Sequence, residues 1–353
     1  MSDLICPIQT TIHKEELTMK KKFLVTLLSV LLLNAMLAGC SSGKKQVDEQ
    51  ANQATENNAE IASGEDGKVL VGAAYCTLAE EFAVSLQKGI QEQAAREGWE
   101  LTEANYELDL SKAVDYFDNF INMGCDAIIL FPYGDDVFGE VSAKAKAQGI
   151  KIITVDSSIN DNVDTYIASD NELGGYESAK YGLESIGGKG KVLMITPAPG
   201  MTSLEDRCNG YERALAEYPE IEVIRQMDSG AEARAGYAQT VENALNANPD
   251  VNLVLANCGD CALGALSTVE LYPNKYADVK IVGYDATPEQ ISALKDHRQI
   301  ICSYAQYPYV MGTTAIESIK TLLNGGSVEA VIRTGGGIVD YDNAEQFEKD
   351  NAD

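Results

Sequence analysis

From residue 68 onward the chain alternates short, β-branched apolar runs with longer stretches whose apolar residues recur every three or four positions. It does this twice. KVLVGAAY precedes EEFAVSLQKGIQEQAAREG, WELTEANY precedes SKAVDYFDNFINMG, DAIILF precedes DVFGEVSAKAKAQG, and KIITVD closes the series. The pattern restarts at TYIASD, ahead of NELGGYESAKYGLESIG, and continues through KVLMIT, IEVIRQ, VNLVLA, VKIVGYD and QIICSYAQ, each with its own helical stretch. Strands followed by helices that carry one apolar face and end at glycine are the signature of parallel strands covered by crossover helices. The chain is therefore expected to be an α/β protein of two Rossmann-like parallel-sheet lobes.

In such sheets ligands bind outside the carboxyl ends of the strands. Those ends supply Tyr75, Cys76 and the segment through Glu80 and Phe82 in the first half, then Phe131 and the pair Asp156-Ser157. In the second half they supply Ala198 to Glu205, Asn257 to Cys261, Asp285 and Tyr304 to Tyr307. Carboxylates, amides and aromatic rings in this mixture suit a small polar ligand, held through its hydroxyls and packed on its apolar faces. Arg207, in the helical stretch after KVLMIT, reads as a structural ion-pair partner rather than a ligand clamp. On that basis Glu80, Asp156, Glu205 and Asp285 are expected to converge without an arginine, which favours a ligand rich in donors, with an amine as one option.

The leader carries different information. Lys20, Lys21 and Lys22 precede a 16-residue mostly apolar run from Phe23 to Ala38, and Leu37-Ala38-Gly39-Cys40 follows. The run is short for a membrane span and has the layout of a secretory signal. The tetrapeptide resembles the lipobox of bacterial lipoproteins, in which the cysteine is acylated. Residues 1–39 are thus expected to be a signal peptide, with Met19 a candidate true start, and Cys40 the lipidation site. Residues 40–66 are poor in large apolar side chains and read as a flexible tether. The whole chain carries a net charge of −27, and the part beyond residue 39 carries −28, because the leader has four lysines and three acids. That acidity argues against nucleic acid and anionic lipid surfaces as partners.

Several motifs then carry a family resemblance. YIASDNELGG, DRCNGYERAL, NANPDVNLVLAN with ALGAL, IVGYDATPEQISAL and YAQYPYVMGTTAIE resemble the ribose-binding group of type I periplasmic binding proteins, in order and spacing, over about residues 68–340. The resemblance implies two lobes joined by three crossovers, 67–169 with 307–331 and 170–306 with 332–345. It implies a monomer that closes on a sugar or polyol and delivers it to an ABC permease, with no cofactor and no metal. Asp156, Asp285 and Gln306 stand at positions that bond sugar hydroxyls in that family, and Phe82 at one that packs on the sugar. Glu80, Ser157, Glu205 and Cys258 stand where ribose binders carry other residues, and Cys76 lies beside them at the first strand end. Ribose itself is not implied.

Other readings remain in view. Cys258 and Cys261 form C-x-x-C, which serves redox proteins, but here it falls at the start of a helix after a strand and is expected to floor the pocket. No second cysteine pair completes a zinc site. The chain has two histidines, His13 in the leader and His297 before a strand, on the side away from the cleft. That leaves little for acid-base catalysis, so an enzyme is not expected. A lipid-tethered sensor that presents its closed form to a membrane kinase shares every feature above.

Overall fold

The structure is a computed structural model that describes residues 68–351 apart from 160 and 229–232. The segments expected to be the signal peptide, the lipobox with Cys40 and the tether all lie outside the described residues. The first half comprises β1 (Leu70–Tyr75), α1 (Glu81–Glu97), β2 (Glu100–Asn105), α2 (Leu110–Asn122), β3 (Ala127–Phe131), α3 (Gly139–Ala147), β4 (Lys151–Val155) and β5 (Thr165–Ala168). Next come α4 (Asn171–Ser185), β6 (Lys189–Thr196), α5 (Thr202–Leu215), β7 (Glu220–Met227), α6 (Ala233–Ala247), β8 (Leu253–Leu255) and α7 (Gly259–Leu271). The chain ends with β9 (Lys280–Asp285), α8 (Pro288–Lys295), β10 (Ile300–Ala305), α9 (Pro308–Leu323), β11 (Val331–Arg333), β12 (Gly337–Asp340) and α10 (Ala344–Asp350).

Local chemistry explains the helix ends. Asp109 accepts hydrogen bonds from the Ser111 and Lys112 amides and so caps α2. Thr287 caps α8 with Pro288 in its first turn, and both arrangements satisfy amides that have no partner inside the helix. Gly98 closes α1 at φ 72°, and its amide bonds back to the last turn.

The strands form two six-stranded sheets. One runs β2-β1-β3-β4-β5-β11, the other β7-β6-β8-β9-β10-β12. The first five strands of each half thus take the same order, so the repeat seen in sequence is a repeat of topology. Only β12, which runs antiparallel to β10, breaks the parallel pattern among the described strands. Strands buried on both faces read as continuous apolar runs: every residue of β3 is buried, as is every residue of β10. The chain crosses between lobes three times, from β5 into α4, from β10 into α9, and from β11 into β12, since α4 packs on β8, β9 and β10 while α9 packs on α1 and β4.

Each lobe has its own core, one around Ile128, Ile129, Phe117 and Phe138, the other around Val254, Ile281, Leu263 and Val241. Two helix pairs cross closely enough that only glycine fits. A Cβ at Gly89 would overlap the carbonyl of Tyr309, and one at Gly175 would overlap the carbonyl of Arg207. The physical role of Gly175 is to bring α4 against α5 at the turn that carries Arg207.

Candidate functional site

β4 and β9 are equivalent strands of the two sheets, and the chain leaves each on an aspartate. Asp156 has φ 61° and Asp285 φ 82°. Left-handed backbone at a residue other than glycine is uncommon and is retained where the surroundings enforce it. Here the surroundings are a single guanidinium. Arg207, only 2% exposed, places Nη2 3.3 Å from Asp156 Oδ1 and Nη1 3.8 Å from Asp285 Oδ1. Its Nε donates to Asn171 Oδ1 at 2.9 Å and Nη1 to the Asn257 carbonyl at 3.0 Å, while its plane lies over the Tyr284 ring at 4.1 Å. The two aspartates come from different lobes, so this arginine of the second lobe ties both halves together at the cleft.

Around Asp285 the bonds continue. Gly259 at the start of α7 donates its amide to Asp285 Oδ2 at 2.7 Å, and Gln306 Nε2 donates to Asp285 Oδ1 at 2.7 Å. Around Asp156 the lobes touch directly. Ser203 Oγ donates to Asp156 Oδ2 at 2.8 Å and lies 2.8 Å from Ser157 Oγ, while the Ser203 amide donates to Ser157 Oγ at 3.2 Å. Two more bonds span the lobes, from the Ser158 amide to Thr202 Oγ1 at 3.0 Å and from the Gly134 amide to the Gly200 carbonyl at 2.7 Å. This edge of the cleft is closed by protein groups.

The open edge lies on the other side of Asp285. A cavity there is lined by Glu80, Glu81, Phe82, Asp260, Leu263, Asp285 and Thr287. Phe82 supplies an apolar wall and packs against Phe131 with ring centres 5.8 Å apart. Glu80 occupies the N-cap position of α1 but caps nothing with its side chain. Burial raises its carboxyl to about 7, and Asp260, Asp285 and Asp156 push the same way while Arg207 opposes them. Asp260 is raised by burial against the pull of Arg234, which lies 3.4 Å away. Asp156 is raised by burial too, with Arg207 and Ser203 opposing.

The Glu80 shift has a measurable consequence. A carboxyl raised from 4.5 to about 7 in the folded state binds its proton more tightly there than in the unfolded chain. Stability therefore falls as pH rises from about 4.5 to 7 and stays at the lower level above. Glu80→Gln is expected to be more stable than the parent at pH 8 by about 1 to 2 kcal/mol, after discounting for partial exposure, and equal to it at pH 4.5. Denaturant titrations at the two pH values check this, and a gap that does not widen with pH would contradict it.

The structure gathers Glu80, Phe82, Asp156, Asp285 and Gln306 at the cleft. Ser157 is at the lobe contact. Cys76 and Cys258 sit beneath the strand ends in the two cores. All six described cysteines are unpaired and buried, and burial raises the Cys258 thiol well above its ordinary range, with Cys261, Glu80 and Asp285 adding to it. Two expectations need correction. Glu205 does not join the other carboxylates: it is exposed in the first turn of α5, where Oε1 accepts from the Gly200 amide at 3.1 Å. And the carboxylates do not converge without an arginine, because Arg207, two residues further on, points inward. Half a helical turn separates these outcomes. Asn257, placed at a strand end by the sequence but given no role, is fully buried, and neither side-chain amide atom has a partner among the described residues. Its position beside Cys258 at a strand end was the available signal. His297 lies against Tyr341, with ring centres 5.0 Å apart, between α8 and β10.

Two parallel-sheet lobes linked by three crossovers, with polar groups from both meeting at the strand ends, define the type I periplasmic binding protein architecture. The family model described as periplasmic binding protein domain matches residues 71–327, and the chain belongs to that family. It is 28% identical over 316 residues to the ribose import binding protein RbsB of Bacillus subtilis, covering 89% of this chain and 97% of that one. A solute-binding protein of an ABC transporter from Actinobacillus succinogenes, solved with D-allose, superposes with a TM-score of 0.73 at 28% identity, covering 79% of this chain and all of that one. Another from Mycobacterium smegmatis, solved with glycerol, gives 0.74 at 26%, covering 79% and 96%. These relatives are transport binding proteins, not enzymes. Among the described residues no helix is long and apolar enough to cross a membrane.

Proposed function

We propose that this chain is the extracytoplasmic binding component of an ABC importer, and that it captures a small polyhydroxylated ligand, a sugar or polyol, by closing its two lobes. The observation that carries this is the pair Asp156 and Asp285, at equivalent strand ends of different lobes and joined through Arg207. Carboxylates fixed in this way accept hydrogen bonds from ligand hydroxyls, and closure removes the water that would weaken them. Phe82 gives the ring of such a ligand an apolar surface. The relatives support a sugar or polyol: one is named for ribose import, and two were solved with D-allose and with glycerol. The chain acts by binding and not by catalysis.

The same reading includes Cys40 as an acylated anchor, with the chain held as a monomer at the outer face of the membrane. Cys40→Ser should release the protein from the membrane fraction into the soluble one; retention after a high-salt wash would rule out lipid as the anchor. The binding reading is tested by a thermal-shift panel of pentoses, hexoses, polyols and amino sugars. A ligand at about 100 times its dissociation constant adds about 2.7 kcal/mol, which raises Tm by several degrees. A panel that leaves Tm unmoved throughout would overturn it.

A further inference from the structure

We propose that the ligand carries a positive charge, an ammonium group on a polyhydroxylated frame, and that Glu80, Asp260 and Asp285 receive that group at the open edge of the cleft. This rests on the binding function proposed above and narrows its ligand. Among the described residues the cavity lining contains four carboxylates, those of Glu80, Glu81, Asp260 and Asp285, and no lysine, arginine or histidine. The nearby guanidinium groups do not balance them. Arg207 is shared between Asp156 and Asp285, so one positive charge serves two negative ones. Arg234 is likewise shared, between Asp260 and Glu289 at 3.4 and 2.8 Å. The Glu80 side chain, half-buried between the lobes, has no hydrogen bond or ion pair with any described residue.

A second, independent feature points the same way. Gln306 is 4% exposed, and the bond from its Nε2 to Asp285 holds it at this cleft. Its Oε1 has no partner among the described residues. That oxygen can only accept; Gln306 is not in the cavity lining, but through its bond to Asp285, which is, it sets one more buried acceptor beside the surplus negative charge. A neutral sugar would satisfy the acceptors and leave the charge; an ammonium, with three donors and a full positive charge, answers both.

The test is a calorimetric comparison of twins that differ in one group: D-glucosamine with D-glucose, D-galactosamine with D-galactose, and a monoamino inositol with myo-inositol. At pH 7.4 the amine that binds best is expected to bind at least about thirtyfold more tightly than its hydroxyl twin. Glu80 is faced by Asp156, Asp260, Asp285 and Arg207, and its carboxyl titrates at about 7. Lowering the pH to 5.8 protonates it and should cut the preference about tenfold. Glu80→Gln and Asp260→Asn, each checked for folding by circular dichroism, should each reduce the preference by about tenfold or more. If a neutral sugar binds as tightly as its amine, the inference fails and the proposed function stands. If neither member of any pair binds while another neutral sugar or polyol of the thermal-shift panel does, the inference fails and the proposed function stands; if nothing in that panel binds, both fail. A preference for amines that survives both substitutions would overturn the assignment to this cluster.

Discussion

Arg207→Met is expected to lower the stability of the protein by about 3 to 5 kcal/mol and to abolish measurable ligand binding. The guanidinium is 2% exposed and contacts Asp156, Asp285, Asn171 and the Asn257 carbonyl. Methionine fills much of the volume but leaves two carboxylates without their cation, and removing one partner of a buried ionic group is far more damaging than replacing the whole group by apolar residues. Arg207→Lys should recover only part of the loss, because an ammonium is a point charge that cannot span four acceptors or lie flat on Tyr284. Urea titration of the parent and both variants tests this. A Met variant within about 1 kcal/mol of the parent would show that the Asp156–Arg207–Asp285 group does not hold the cleft together.

Asp285→Ala has a different expected profile, in which binding suffers more than folding. It strands the Gly259 amide and Gln306 Nε2, a loss of about 1 to 3 kcal/mol in stability, while affinity drops by at least about thirtyfold. Asp285→Asn should recover most of the stability. Its carbonyl can still accept from Gly259, and its amide can donate to Gln306 Oε1 once that side chain turns over. It should not recover affinity, since the charge is gone. Equal recovery of both quantities would mean that Asp285 only supports the fold.

The architecture was legible in the sequence because burial on two faces writes itself as continuous apolar runs and helices on a sheet write themselves as a three-to-four period. The restart was read one strand early: TYIASD forms β5, the fifth strand of the first sheet, and the second lobe begins with α4 and β6. Strand ends located Asp156, Asp285, Gln306 and Phe82 without knowledge of the contacts. The errors lie on α5. Glu205 and Arg207 are two residues apart and therefore on different faces of a helix, and which face meets the cleft depends on the crossing of α4 at Gly175. That crossing is a tertiary distance, invisible to periodicity. The same limit explains Ser157. Its place after a strand was readable, but its bonds to Ser203 join residues 46 positions apart. Asn257 could be placed at a strand end, but nothing in its neighbours reveals that its buried amide will be left without partners.

Closure of the two lobes on ligand is most directly tested by amide hydrogen exchange at Gly134 and Ser158. Both amides donate across the lobe boundary, to the Gly200 carbonyl and to Thr202 Oγ1, and neither belongs to the hydrogen-bond ladder of a helix or strand. Without ligand, opening of the lobes should expose them and let them exchange quickly. With a saturating sugar or amino sugar taken from the binding panel, exchange at both should slow by at least about a hundredfold, the factor that corresponds to about 2.7 kcal/mol, while amides in the centre of β3 and β8 change little. Exchange at Gly134 and Ser158 that is the same with and without bound ligand would contradict the account.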